Sequence, residues 1–316
     1  MTKRRRALIV GTQTATNGFE SGASLRLASI KEIVENEGFE VEVTAISQSK
    51  LMMKSDWDLI VMVSYSTARL LRKARKRAAN LWFDPTDSWS QTRLSLFRSG
   101  DLKQVLVLIR DLLFIWTAPR IDLTTFITKI DKQAEAWWWR FRNIPFVLPI
   151  HNLERKVIKS NNSRLVFVGD GTYLPNKKAI RFLKSTLKNL PSDIQIHLFG
   201  KDIEAKSPRF IIHGYVPANL LYFSDDIHLA PIKTGGGLQL KAAIPLWNGL
   251  NVIATLKSSR GLRMDSNLLI AENPKEYAKT IISLLSSHSR TKSLQPGTDI
   301  YECDEIQDVK AWLKGI

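Results

Sequence analysis

Cysteine is nearly absent: one residue, Cys303, in a chain of 316, which excludes an internal disulfide framework and any metal site built from several thiolates. Histidine is almost as scarce, with five in all and none before His151, so the residues ahead of it offer no imidazole to serve as a base. None of the five sits at metal-ligand spacing from another histidine or a carboxylate; His197 and His213 read as strand residues and His288 as surface. No metal is expected. No uninterrupted apolar run reaches the ~18 to 20 residues a membrane span needs. The opening Met-Thr-Lys-Arg-Arg-Arg passes directly into a short strand without the long apolar stretch of a secretory signal. The expectation is a cytoplasmic protein. Helix-turn-helix, zinc-finger and RNP-type patterns are all missing, so no specific nucleic-acid partner is expected.

Acidic residues are the other shortage. Thirty Asp and Glu stand against 46 Lys and Arg, a net charge of +16 and a pI near 9.9, which implies attraction to an anion of some kind: nucleotide, acidic glycan or lipid headgroup. The cations are not spread evenly. Arg69, Arg72, Lys73, Arg75, Lys76 and Arg77 fall within nine residues with almost no acidic partner nearby. This suits a membrane surface or anionic acceptor better than mere solubility, and it leaves room for peripheral attachment to the inner face of a membrane. The segment Leu102 to Trp116 is amphipathic and strongly apolar; a core helix is the leading reading and an in-plane membrane helix the other. Trp137, Trp138 and Trp139 next to Arg140 and Arg142 suit a bilayer interface or a sugar-stacking surface.

At this length two domains are expected, with 44% hydrophobic and 24% charged residues typical of a globular protein. The boundaries read as 1–155, 156–303 and a closing helical segment 304–316. Ala7 to Val10 is a buried strand; a loop with Asn17-Gly18 and Ser21-Gly22 follows, then a helix from about Ser24 to Gly38 and a strand Val41 to Ile46. The spacing is not the three-glycine dinucleotide fingerprint. Trp57 to Val63 is the next strand. Another ends at Trp82-Phe-Asp84-Pro-Thr-Asp87, at the carboxyl edge where open α/β sheets place their ligands. Asp84 and Asp87 are candidate general bases, with Glu20 behind them; caps of the following turn are the structural alternative.

The most informative stretch lies in the second half. Ile227 to Pro231 is a strand end, and Pro231-Ile-Lys-Thr-Gly-Gly-Gly-Leu-Gln-Leu-Lys241 leads to an Asn248-Gly249 stop and the strand Val252-Ile-Ala-Thr255. That order spells strand, tight loop, helix, turn, strand. Backbone N–H groups of Gly235, Gly236 and Gly237 at the helix start make an anion site. Lys241 in the first turn and Lys233 before the loop are its two cations.

Together with Gly214-Tyr-Val216 before it, and with Arg164-Leu-Val-Phe-Val-Gly169-Asp-Gly171-Thr-Tyr-Leu-Pro175-Asn176 further upstream, this order of features resembles the donor-binding half of GT-B glycosyltransferases, most nearly glycosyltransferase family 4. The likeness covers roughly residues 164 to 285, about two fifths of the chain. It implies an α/β fold of two Rossmann-like domains facing each other across a cleft, with the closing helix returning to the first domain. It implies transfer of a sugar from a nucleotide-sugar donor, a co-substrate rather than a resident cofactor, to a glycan or lipid-linked acceptor, metal-independent and of the retaining hexosyltransferase type. Lys241 and Lys233 would steady the departing diphosphate. Gly171, Gly200, Tyr215, Val216, Gly235, Gly236, Gly237 and Leu238 would line the donor, and Gly18, Glu20 and Arg26 the acceptor side. One position departs from the pattern: Ile244, followed by Pro245, stands where many relatives have a ribose-binding glutamate, and Glu272 is the candidate substitute. A GT-B-shaped subunit with a decayed donor site, binding a partner transferase or an anionic glycan, is therefore the alternative reading, and a sugar-nucleotide epimerase a third.

Overall fold

A computed structural model describes residues 4–16, 21–49, 54–98, 102–139, 145–286 and 299–316. The chain divides into unit 1, residues 1–152 with 302–316, and unit 2, residues 153–301. Each is built on a six-stranded, all-parallel sheet. Parallel strands must be covered on both faces and therefore come from continuous apolar runs. Ala7 to Val10 and Leu59 to Met62 are such runs, and each of their residues is 0% exposed.

Unit 1 contains β1 (Arg5–Gly11), β2 (Phe39–Ala45), β3 (Trp57–Val63), β4 (Ala78–Thr86), β5 (Leu123–Phe126) and β6 (Phe146–Val147), in the order β2-β1-β3-β4-β5-β6. The helix between β1 and β2 is Gly22–Asn36, two residues earlier than expected. Ser21 caps it through a reciprocal box with Ser24, which satisfies otherwise orphaned N–H groups of its first turn. β5 is short, and Asp131 beyond it belongs to the helix Lys129–Trp139. The last helix, Ile306–Lys314, adds Val309 and Leu313 to the same core, and Trp312 meets Trp82 edge-on at 6.5 Å. Glu305 fixes its start by accepting from Lys132 Nζ and the Val147 N–H.

Unit 2 contains β7 (Leu165–Val168), β8 (Ile196–Phe199), β9 (Phe210–Gly214), β10 (Ile227–Ala230), β11 (Asn251–Ala254) and β12 (Leu268–Ile270), in the order β12-β11-β10-β7-β8-β9. Helices Leu174–Leu187 and Pro274–Ser286 close one face over Phe167, Leu198, Leu229 and Ile253. Asn248, which ends the helix Leu240–Trp247, gives Nδ2 to the Leu153 carbonyl and takes the Arg155 N–H at 2.8 Å. The first residues of the unit are thereby tied to its centre. Tyr277 does the same for the ends of β10 and β11: its hydroxyl accepts the Ala230 N–H at 3.0 Å and donates to the Ile253 carbonyl. Both partners are buried. Tyr277→Phe should lower unfolding stability by about 1–3 kcal/mol, since two buried backbone groups lose their partner. Denaturant unfolding checks it, and an unchanged midpoint would contradict the assignment.

Candidate active site

In open parallel sheets ligands collect at the carboxyl edge where the strand order reverses. In unit 2 the reversal falls between β7 and β10, so the loops that matter are 169–173 and 231–239. The first is held by tight backbone approaches. Gly171 donates to the Lys201 carbonyl and Gly200 to the Gly214 carbonyl, both at 2.8 Å. A Cβ on Gly171 would sit 1.9 Å from the Asp202 oxygen, and one on Gly200 1.9 Å from the Gly169 oxygen. Gly171 and Gly200 are therefore required by loop-against-loop packing without reference to any ligand. Asn176, in the first turn of Leu174–Leu187, lies beneath the loop and gives Nδ2 to the Asp170 carbonyl at 2.8 Å.

The second loop differs in one respect from the sequence expectation. The helix begins at Leu240, three residues beyond the glycines, because Gln239 keeps extended backbone (φ −88°, ψ 100°). Gly235 and Gly237 take positive φ of 115° and 66°, values that only glycine adopts without strain. Both are buried, and Gly236 and Leu238 are half-buried. The Tyr173 hydroxyl lies 3.5 Å from where a Cβ on Gly235 would be. The Gln239 side chain donates to the Gly236 carbonyl, and the Ile232 N–H and carbonyl are held by Ser258 and Thr255. The loop is thus shaped by the chain itself.

Lys241 crosses between the two loops. Its Nζ donates to Asn176 Oδ1 at 2.6 Å and lies 5.3 Å from the Phe167 ring centre. Burial lowers its pKa from 10.5 to about 8. An ammonium kept this short of solvation at a sheet's reversal point is poised to take an anion, because a negative charge would return what burial removes. Lys233 does not share that place. It is exposed, with its Nζ 5.4 Å from the Phe182 ring centre. It helps to lower the Glu276 carboxyl, after the hydrogen bonds that group takes from the Glu272 and Asn273 N–H and the Asn273 side chain.

Around the rim, Tyr215 is 57% exposed at the end of β9, with Lys201 Nζ 5.4 Å from its ring, and Val216 is half-buried beside it. Glu272, after β12, spends Oε1 on the Leu256 N–H at 2.6 Å. Ile244 is 8% exposed inside the helix Leu240–Trp247, with Pro245 buried next to it. Ile244 therefore serves packing, and no carboxylate replaces it at that position. His197 and His213, unpaired in the sequence reading, are brought together by neighbouring strands: Nδ1 and Nε2 lie 2.8 Å apart with the rings stacked. Burial holds both below the usual histidine range. Among the described residues no group of three or more His, Cys, Asp or Glu is placed to hold a metal.

In unit 1 the reversal lies between β1 and β3, but Gly18 and Glu20 of the loop after β1 are outside the described residues, as are His288 and the side chains of Trp137 to Trp139. Arg26 and Asp84 are corrected by the structure. Each is fully buried: Arg26 Nε and Nη2 grip both oxygens of Asp84, and Nη1 donates to the carbonyls of Leu148 and Pro149. Thr125 Oγ1 donates to the same carboxylate. A carboxylate so enclosed can neither reach an acceptor nor exchange a proton with it, so Asp84 is no base and Arg26 lines no site. Asp87, three residues on, is half-buried, and its pKa is raised to about 7 by burial and then by the charges of Asp131 and Asp84. Ser64 and Thr86, at the ends of β3 and β4, both have φ of 78°. Such non-glycine strain costs about 1–3 kcal/mol and gathers at functional edges.

The sequence matches no family model and no curated protein. Solved structures do match in fold. HepE of Anabaena in complex with UDP-glucose aligns with a TM-score of 0.63 at 12% identity, over 98% of this chain and 97% of that one. The chain has the GT-B fold. The lipopolysaccharide outer core galactosyltransferase WaaB aligns at 0.53 with 11% identity over 89% and 90% of the two chains. UGT89C1 of Arabidopsis thaliana, complexed with UDP, aligns at 0.53 with 9% identity over 99% and 100%. At such identities the GT-B likeness concerns architecture; the chemistry rests on the residues above.

The two aspartates separate experimentally. Asp84→Asn should cost about 3–5 kcal/mol by leaving Arg26 buried without its counter-charge. Asp87 has a raised folded-state value, so its ionisation destabilises the fold as pH climbs from 3.8 through about 7. Asp87→Asn removes that penalty and should melt at or above the wild-type temperature at pH 8. Thermal unfolding at pH 5 and pH 8 decides, and a greater loss in Asp87→Asn than in Asp84→Asn would contradict the assignment.

Proposed function

We propose that the protein is a nucleotide-sugar-dependent glycosyltransferase that passes a sugar to a glycan or lipid-linked acceptor. The observation that carries this is Lys241, a burial-depressed amine at the reversal point of the unit 2 sheet, between two glycine-shaped loops. In the reaction the bond between the sugar's anomeric carbon and the diphosphate oxygen breaks, and the oxygen keeps the electron pair. Lys241 and loop N–H groups stabilise that growing charge, which is electrostatic catalysis by groups already in place. No divalent ion is assigned a part. The acceptor hydroxyl oxygen bonds to the anomeric carbon. Its proton goes to the departing phosphate if configuration is retained, as in family 4, the reading favoured by the sequence likeness; Asp87 is the remaining aspartate candidate for the base if it is inverted. Tyr215 and Val216 would meet the nucleobase. Bound UDP in the HepE and UGT89C1 structures supports a nucleoside diphosphate as the donor's leaving group.

Glu272 and Ile244 favour the second reading, a GT-B-shaped subunit without turnover, because one carboxylate is engaged by Leu256 N–H and the other position is apolar. Calorimetry with UDP, GDP and ADP discriminates: the enzyme reading predicts binding of one of them below millimolar concentration. Lys241→Ala should abolish transfer and donor hydrolysis, a loss of at least about a hundredfold, with the circular dichroism spectrum preserved. Near-normal turnover in that variant would refute the role.

A further inference from the structure

Seven of the large apolar side chains exposed on this protein lie between residues 94 and 113: Leu94 (41%), Phe97 (37%), Leu102 (73%), Val105 (38%), Leu106 (72%), Ile109 (50%) and Leu113 (63%). They belong to the helices Trp89–Arg98 and Lys103–Trp116 and the join between them. Leu102, Leu106, Ile109 and Leu113 recur at steps of four, three and four, which is one stripe along a helix. The apolar segment expected to be a core helix therefore shows its apolar stripe to solvent. An exposed patch of this kind marks an interaction surface.

The stripe is bordered by cations. Arg69, Arg72, Arg98, Lys103 and Arg110 are all exposed. Two adjoining cavities of about 500 and 420 Å³ share Arg69 and Arg110. The first lies at the strained end of β3 and adds Ser64, Ser66 and Arg93; the second meets the stripe at its last residue, Leu113, and adds Arg72, Leu71 and Pro119. Among the described residues no acidic side chain lines either. Polar cationic lining thus passes into apolar lining within one helix length, as does the interface of an acidic membrane, where phosphate lies above acyl chain.

We propose that this face of unit 1 docks on an anionic lipid bilayer: the helix Lys103–Trp116 lies in the interface plane with Leu102, Leu106, Ile109 and Leu113 in the acyl boundary, while Arg69, Arg93 and Arg110 take lipid phosphates. Among the described residues no helix is long and apolar enough to cross a membrane, and the proposed contact is one of surface burial and charge. A second copy of the chain is a poorer occupant, because a two-fold pairing through the stripe would bring the bordering arginines of both copies together. The proposal does not depend on glycosyl transfer, and its test reads no activity.

The test is flotation of the full chain with vesicles of phosphatidylcholine, with and without phosphatidylglycerol. Binding should require phosphatidylglycerol and weaken as salt rises. The double variant Leu106→Glu with Ile109→Glu should bind at least about tenfold more weakly, with an unchanged melting temperature because both positions are exposed. Arg69→Glu with Arg110→Glu should lose the preference for the acidic lipid. Nucleotide binding by calorimetry should be the same in both variants, so failure here is distinct from failure of the transferase reading. Equal binding of wild type and Leu106→Glu/Ile109→Glu, absence of binding to acidic vesicles, or a wild-type dimer in sedimentation velocity that the same variant abolishes would each overturn the proposal.

Discussion

The hydrogen bond from Lys241 Nζ to Asn176 Oδ1 holds the candidate site together. It joins the first turn of the helix after β7 to the helix after β10 at the point where the unit 2 strand order reverses. Asn176 in turn holds the Asp170 carbonyl, so the amine, the amide and the glycine loop form one connected arrangement. Its cost is desolvation of an ammonium, and that cost makes the place receptive to negative charge. The loop after β7 and the turn after β8 have no room for side chains where they meet, which is why Gly171 and Gly200 are glycine whatever binds above them.

Unit 1 spends its strongest ion pair differently. Arg26 and Asp84 close the carboxyl edge of β4 against the segment that leaves β6, through the carbonyls of Leu148 and Pro149. Three residues on, Asp87 has its pKa raised to about 7. Burial raises it most, followed by the charges of Asp131 and Asp84, and Asp131 is itself held by the Ser88 N–H and Thr128 Oγ1. A buried structural pair and a half-buried acid with a raised value thus stand three residues apart.

Much of this was legible in the sequence. Continuous β-branched runs mark parallel strands because both faces are covered, and Trp57–Val63 falls where that rule places it. The Asn248-Gly249 stop works because Gly249 takes φ of 74°. What could not be read depends on partners distant in the chain. Asp84 and Asp87 share one strand end, and nothing local says which meets an arginine 58 residues away. Arg75 and Arg77 looked unpaired, yet the fold brings Asp122 and Asp56 to them. His197 and His213 meet only because β8 and β9 are neighbours. The apolar period of Lys103–Trp116 was plain, but periodicity gives a stripe without saying what covers it, and here it is solvent. The helix start after the glycines moved by three residues because extended backbone at Gln239 postpones it.

On the proposed reading, the amine at position 241 is desolvated by its surroundings and regains a counter-charge when a diphosphate arrives. The most direct measurement is a pH titration of the Lys241 side chain by NMR on lysine-labelled protein, with and without UDP. A pKa near 8 that rises when UDP is added would bear the account out. A value near the ordinary 10.5 of lysine, or one that UDP at saturation leaves unmoved, would contradict it.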